Sequence, residues 1–168
     1  MSARDHDWKT TLHQGMKGQD AVKTWLEEKP ETVEVVDVSR VKSFQKIDID
    51  FIWIHDGVIT TIELKSDQYD MKKSENIFLE TVGNAEKKKV GCFFNTQADY
   101  YYYYFVKNGY IFKLPIAECR EWFVKNMQRF EKKRLSTNKL YHSEGYIIPR
   151  EILIKETSTT VEHVWHKL

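Results

Sequence analysis

The sequence predicts an α/β or α+β domain, with one central mixed sheet flanked by helices, and three observations carry that prediction. An apolar stripe at helical spacing opens the chain, two strand-turn-strand patterns occupy its middle, and a second helical stripe follows a proline. Helix-period and strand-period segments therefore alternate rather than segregate, which calls for helices packed on a sheet.

The first stripe lies in Gly18–Lys29, where Ala21, Val22, Trp25 and Leu26 fall on one side of a helix that Pro30 closes. Thr32–Val38 is rich in valine and reads as a strand. Ile47–His55 and Val58–Lys65 read as two more, joined at Asp56-Gly57, residue types that tolerate the positive φ of a type I′ hairpin turn. Ile77–Val82 is a further strand, and Gly83–Val90 reads as a loop or a short helix. The tyrosine run Tyr100–Tyr104 opens a strand reaching Val106; Asn108-Gly109 turns the chain and Tyr110–Leu114 returns it. Alternation along that strand predicts one tyrosine face in the core and one in solvent, where exposed rings would be able to stack on bases. Pro115 suits the first position of a helix running to about Phe130, with Ile116, Trp122, Phe123, Met127 and Phe130 as its stripe. After Ser136 no clear period emerges.

At 168 residues the chain suits one domain, spanning 1–168. Aromatic residues make up 14%, more than a disordered chain carries, so a packed core is expected. Apolar runs stay short of the roughly 18 residues a membrane helix needs, and Met1–Lys9 is charged where a signal peptide is apolar. A cytoplasmic protein without membrane contact is the expectation. Cys92 and Cys119 form no CxxC pair, so neither a thiolate zinc site nor a disulfide framework is expected. The near-neutral total conceals a split, with residues 1–84 net acidic and residues 85–168 net basic. Two solvated faces of unlike sign would produce it, and so would a cation-holding site beside a surface that meets an anionic polymer.

The hairpin places chemistry. With Asp56 and Gly57 as the turn, His55 faces Val58, Asp50 faces Glu63 and Asp48 faces Lys65. Asp48, Asp50, Ile52 and Ile54 then share a face with Ile59, Thr61, Glu63 and Lys65, while Phe51, Trp53, Ile62 and Leu64 point the other way. Opposed carboxylates, with Cβ atoms roughly 4.5–5.5 Å apart, repel unless something offsets the charge. A divalent cation would do so: hard oxygen ligands suit Mg²⁺, a coordinated water could serve as nucleophile, and Lys65 would orient it or stabilise charge on a phosphate.

Asp50, twelve intervening residues and then Glu63-Leu64-Lys65, with a helix before and a strand-helix segment after, resemble the PD-(D/E)XK nuclease superfamily, in particular phage-encoded and restriction- or resolvase-like members. The resemblance covers about residues 15–130, leaving 131–168 as a C-terminal extension, and implies a restriction-endonuclease-like fold. It implies a DNA endonuclease that hydrolyses phosphodiesters through a Mg²⁺-activated water, with Mn²⁺ able to substitute. Asp50, Glu63 and the Leu64 carbonyl would be the metal ligands and Lys65 the catalytic lysine. Ile49 stands where the family name has proline. Asp20 is the nearest match to an acid on the first helix, Gln97 with Tyr101 resembles a QxxxY pattern, and Glu80 would approach the site from a following strand. Lys87-Lys88-Lys89 and Lys132-Lys133-Arg134 are either solvated loops or phosphate contacts. A homodimer stays open. The rival readings are a catalytically silent nuclease-like domain that binds nucleic acid, or an interaction module whose acids meet a basic partner.

Overall fold

A computed structural model describes residues 8–138 and 141–164 of the chain. Along the sequence run α1 (Trp8–Glu27), β1 (Thr32–Asp37), α2 (Lys42–Gln45), β2 (Phe51–His55) and β3 (Val58–Asp67). Then come β4 (Asn76–Asn84), β5 (Lys89–Val90), α3 (Cys92–Asn95), β6 (Tyr100–Phe105) and β7 (Tyr110–Pro115). The last elements are α4 (Ile116–Asn126), β8 (Glu131–Asn138), β9 (Tyr141–Pro149), α5 (Arg150–Glu156) and β10 (Thr160–His163). The result is a single-domain α+β fold. A six-stranded mixed sheet has the order β1-β2-β3-β6-β7-β10, and a four-stranded sheet has the order β5-β4-β9-β8. In the larger sheet β3 and β6 are parallel and the other neighbours antiparallel.

The central hairpin has the expected register, from His55 opposite Val58 to Phe51 opposite Ile62. Its turn uses positive φ at Asp56 (46°) and Gly57 (75°), as a type I′ turn requires. The start of β2 differs from expectation. Asp48 adopts φ 46°, a left-handed conformation that takes it out of the strand, so the ladder opens at Phe51 and Asp48 does not face Lys65.

α1 begins well before the expected start at Gly18. Glycine inside a helix is normally unfavourable, but Gly18 sits where a Cβ would collide with the Ser66 side chain, so its absence lets the helix approach β3. The buried face of α1, Val22, Trp25 and Leu26, packs on Phe51, Trp53, Ile62, Tyr102 and Tyr104. The helix end is tied down by Thr32, whose hydroxyl donates to the Leu26 carbonyl and accepts from Trp53 Nε1 at 2.8 Å.

The tyrosine strand has no solvent face over Tyr101–Tyr104, contrary to the alternation expected. Tyr102 and Tyr104 lie under α1, whereas Tyr101 and Tyr103 enter the second core with Ile77, Leu79, Phe93, Phe123 and Ile148. β6 is an interior strand covered on both sides, which is why both faces are buried. The phenols find partners within the protein: Tyr101 with Cys92 Sγ, and Tyr103 with the Asp67 carboxylate.

Residues 131–164 complete both sheets rather than hang from them. β8 and β9 extend the smaller sheet, and β10 pairs with β7 from Thr160 opposite Lys113 to His163 opposite Tyr110. Pro115 is the extended residue before α4, not its first helical one, and the helix stops at Asn126. Its buried stripe is Ile116, Cys119 and Phe123, whereas Met127 is largely exposed. The 83–90 segment is not a helix: residues 83–84 end β4, 85–88 turn the chain, and Lys89–Val90 form β5, antiparallel to β4. Among the described residues no helix is long and apolar enough to cross a membrane.

Candidate active site

Asp50 occupies the mouth of the hairpin. Its backbone N–H donates to the Ile62 carbonyl at 2.9 Å, and its own carbonyl accepts from Val38 N–H at 2.8 Å. The side chain turns toward β3, where Oδ2 accepts the Leu64 N–H at 2.9 Å. Glu63 and Lys65 sit opposite Tyr101 and Tyr103 across the parallel pair, so both point to the sheet face away from α1. Glu63 is only 9% exposed and hydrogen-bonds the Asp50 carboxyl.

Burial dominates the electrostatics of this pair. Removal from water pushes the Glu63 carboxyl far above the ordinary range, and the charges of Asp50 and Asp48 push it further. Burial raises Asp50 as well; the Leu64 N–H partly restrains it, while Asp37 and Asp48 add to the rise. Two carboxyls forced together in this way share a proton around neutrality and titrate as a unit.

Lys65 pairs with Glu80, at 3.6 Å from Nζ to Oε2, and not with Asp48. Burial works against the ammonium, but charge on Cys92, Glu80 and Glu63, as each ionises, outweighs it, and its pKa lies above the ordinary lysine value. Lys65 is therefore a cation at neutral pH. Burial pushes the neighbouring Cys92 thiol up to about 12, so it stands beside the ammonium as a neutral group. Asp48 is held instead by Asn95, whose Nδ2 donates to its carboxylate at 2.8 Å and to the Lys46 carbonyl at 3.1 Å.

The other expected residues divide. Glu80 reaches the site from β4, as its ion pair with Lys65 shows. Asp20 is exposed on α1 and makes no hydrogen bond or ion pair with Asp50, Glu63 or Lys65 among the described residues. Gln97 is exposed, its backbone N–H donating to Ile47; the residues at this point that touch the site's border are Asn95 and Thr96. Lys132 pairs with Glu144 at 2.7 Å, Lys133 with Glu131, and Arg134 with Glu86 at 3.3 Å, so each of the three already has a carboxylate partner, on β9, on β8 and in the turn after β4 respectively. Lys87, Lys88 and Lys89 are exposed. Sequence patterning missed Asn95 and Thr96, because no local signal links either to Asp48 across nearly fifty residues.

Among the described residues no group of three or more His, Cys, Asp or Glu side chains is placed to hold a metal ion. What the hairpin offers is a two-carboxyl set of hard oxygen donors, brought together against their own repulsion. That donor chemistry fits a hard divalent cation, which would displace the shared proton. Family models, curated proteins and solved structures include no match to this chain.

Proposed function

We propose that this protein is a divalent-metal-dependent nuclease that hydrolyses DNA phosphodiester bonds. The observation that carries the reading is the hydrogen-bonded Asp50–Glu63 pair, Glu63 buried and Asp50 half-buried, with the Lys65 ammonium two residues along the same strand as Glu63. Burying two acids together is costly for a purely structural purpose, since an apolar pair would fill the same space without repulsion. The layout supports a restriction-endonuclease-like reading: a helix, an antiparallel meander carrying the acids, then a strand parallel to the third.

Asp50, Glu63 and the Leu64 carbonyl would hold the cation. Bound there, Mg²⁺ or Mn²⁺ would supply positive charge to a phosphate and acidify a water. The chain's own residues do the rest. The Leu64 N–H fixes the Asp50 carboxylate; Lys65 places a permanent positive charge where negative charge develops on the phosphate; Glu80 limits the directions that charge takes. Incubating purified protein with supercoiled, linear and branched DNA, with and without Mg²⁺ or Mn²⁺, tests the reading. Metal-dependent cutting that Asp50→Asn and Glu63→Gln abolish is expected. Intact DNA in every form and with both metals would leave a nuclease-like binding domain in its place.

A further inference from the structure

Around the proposed site stand Asp37, Asp48, Asp50, Glu63 and Glu80, against one cation among the described residues, Lys65. A polyanion brought to such a place must be held by cations on its borders. Two segments supply them. The first joins β1 to β2 and has both ends on the site: Val38 N–H donates to the Asp50 carbonyl, and Asp48 lies two residues before Asp50. Between these ends Arg40, Lys42 and Lys46 are exposed, and none has a carboxylate partner among the described residues.

The second segment lies beyond Lys65. Gly91 presses on β4 where a Cβ would collide with the Glu80 carbonyl, and Cys92 follows beside Lys65. Lys87, Lys88 and Lys89 directly precede this contact, exposed and likewise without a carboxylate partner. Lys132, Lys133 and Arg134 form the contrast, each tied to an acid.

From this arrangement we infer that the substrate is duplex DNA gripped through its phosphates, with Arg40, Lys42 and Lys46 the principal contacts on one border and Lys87–Lys89 on the other. The inference deepens the nuclease reading and rests on it. A duplex is favoured over a single strand because single strands are held largely by base stacking on exposed rings. Tyr101–Tyr104 are buried, and the exposed aromatic residues among those described, Tyr69 and Tyr110, stand on neither cation-bearing segment. Contacts made by exposed, flexible cations follow phosphates and read no sequence.

Fluorescence anisotropy of a labelled duplex and of its single strand, with full-length protein in EDTA across a salt series, tests this apart from any cutting. Changing Arg40, Lys42 and Lys46 together to Gln should weaken duplex binding at least tenfold and reduce the salt slope by about two to three, since each lost phosphate contact removes about 0.9. The Lys87/Lys88/Lys89→Gln variant should shift both in the same direction. The Lys132/Lys133/Arg134→Gln variant should stay within about twofold of the parent, because its cations are already paired. An unchanged slope for the first variant, equal losses in all three, or tighter binding of the single strand overturns the inference. Failure of the parent to cut DNA would sink the nuclease reading while leaving this binding pattern to be judged by itself.

Discussion

Lys65 Nζ lies 3.6 Å from Glu80 Oε2, a contact that joins the third strand of the larger sheet to the second strand of the smaller one. The lysine side chain remains about one-third accessible and the glutamate less so, placing the pair between an exposed ion pair and a buried one. Its net contribution to stability is accordingly small, on the order of 1 kcal/mol or less. Its greater effect is directional, because a lysine on a flexible stem has many rotamers and Glu80 selects among them.

Glu80→Gln should therefore reduce the cleavage rate by roughly three- to tenfold, the scale of one partly exposed ion pair. DNA affinity and thermal midpoint should barely move. Single-turnover cleavage read beside anisotropy separates the two effects; a loss of affinity equal to the loss of rate would mean that Glu80 shapes the substrate surface instead.

Divalent metal should stabilise the folded protein through the hairpin acids. A ligand that binds only the native state at a hundred times its Kd raises stability by about 2.7 kcal/mol. Mn²⁺ or Mg²⁺ titration followed by thermal melting should show that rise in the parent and its loss in Asp50→Asn and Glu63→Gln. Without metal, Glu63→Gln should be as stable as the parent or more so, because the buried Glu63 carboxyl must take up a proton on folding at neutral pH and the amide need not. Equal metal responses in parent and variants would place any bound ion elsewhere.

The hairpin was legible because its determinants are local. Asp56-Gly57 specifies the turn, alternation specifies the faces, and the Asp50–Glu63 juxtaposition follows from the two. The partners of those residues were not legible for the opposite reason. Asp48 leaves the strand where Asn95 receives it, and Lys65 finds Glu80 only because β4 belongs to a second sheet. That sheet was hidden because its edge strand, Glu131–Asn138, opens with four consecutive charged residues, Glu131–Arg134, and shows no apolar alternation. With the sheet unseen, the second buried face of the tyrosine strand was unseen too.

Stability without metal should pass through a maximum in mildly acidic solution. Asp50 and Glu63 have folded-state pKa values above their ordinary ones, so their contribution is present below the ordinary carboxylate range and is lost as pH rises through the raised values. Glu86 and Glu156 behave oppositely. Hydrogen bonds from His142, and from Arg129 and Trp122, lower them to about 2, so their contribution is present above the ordinary value and fades as pH falls through the acid range. Denaturant unfolding in EDTA between about pH 5 and pH 8 should show the parent losing stability throughout as pH rises, and Glu63→Gln losing less, with its loss confined to the acid end where Asp50, raised to about 6, still titrates. A flat parent curve would show that the acid pair is well solvated.

Lys65→Ala separates a nuclease from a silent relative of one. Ligand variants lose cutting simply by losing metal, and so say nothing about the ammonium. Lys65 sits two residues from Glu63 on the same face, stays charged at neutral pH, and meets Glu80 rather than either hairpin acid in an ion pair. If it stabilises charge on the phosphate, its removal should leave metal-induced melting shifts and DNA binding within about twofold while slowing cleavage by roughly a hundredfold or more, as when one preorganised electrostatic donor is removed from other enzymes. A lysine that merely joins the two sheets would behave differently: its loss would lower the melting midpoint slightly and change cleavage only a few-fold. Rapid-quench cleavage alongside melting distinguishes these outcomes, and the second would remove Lys65 from the chemistry while leaving the hairpin acids in it.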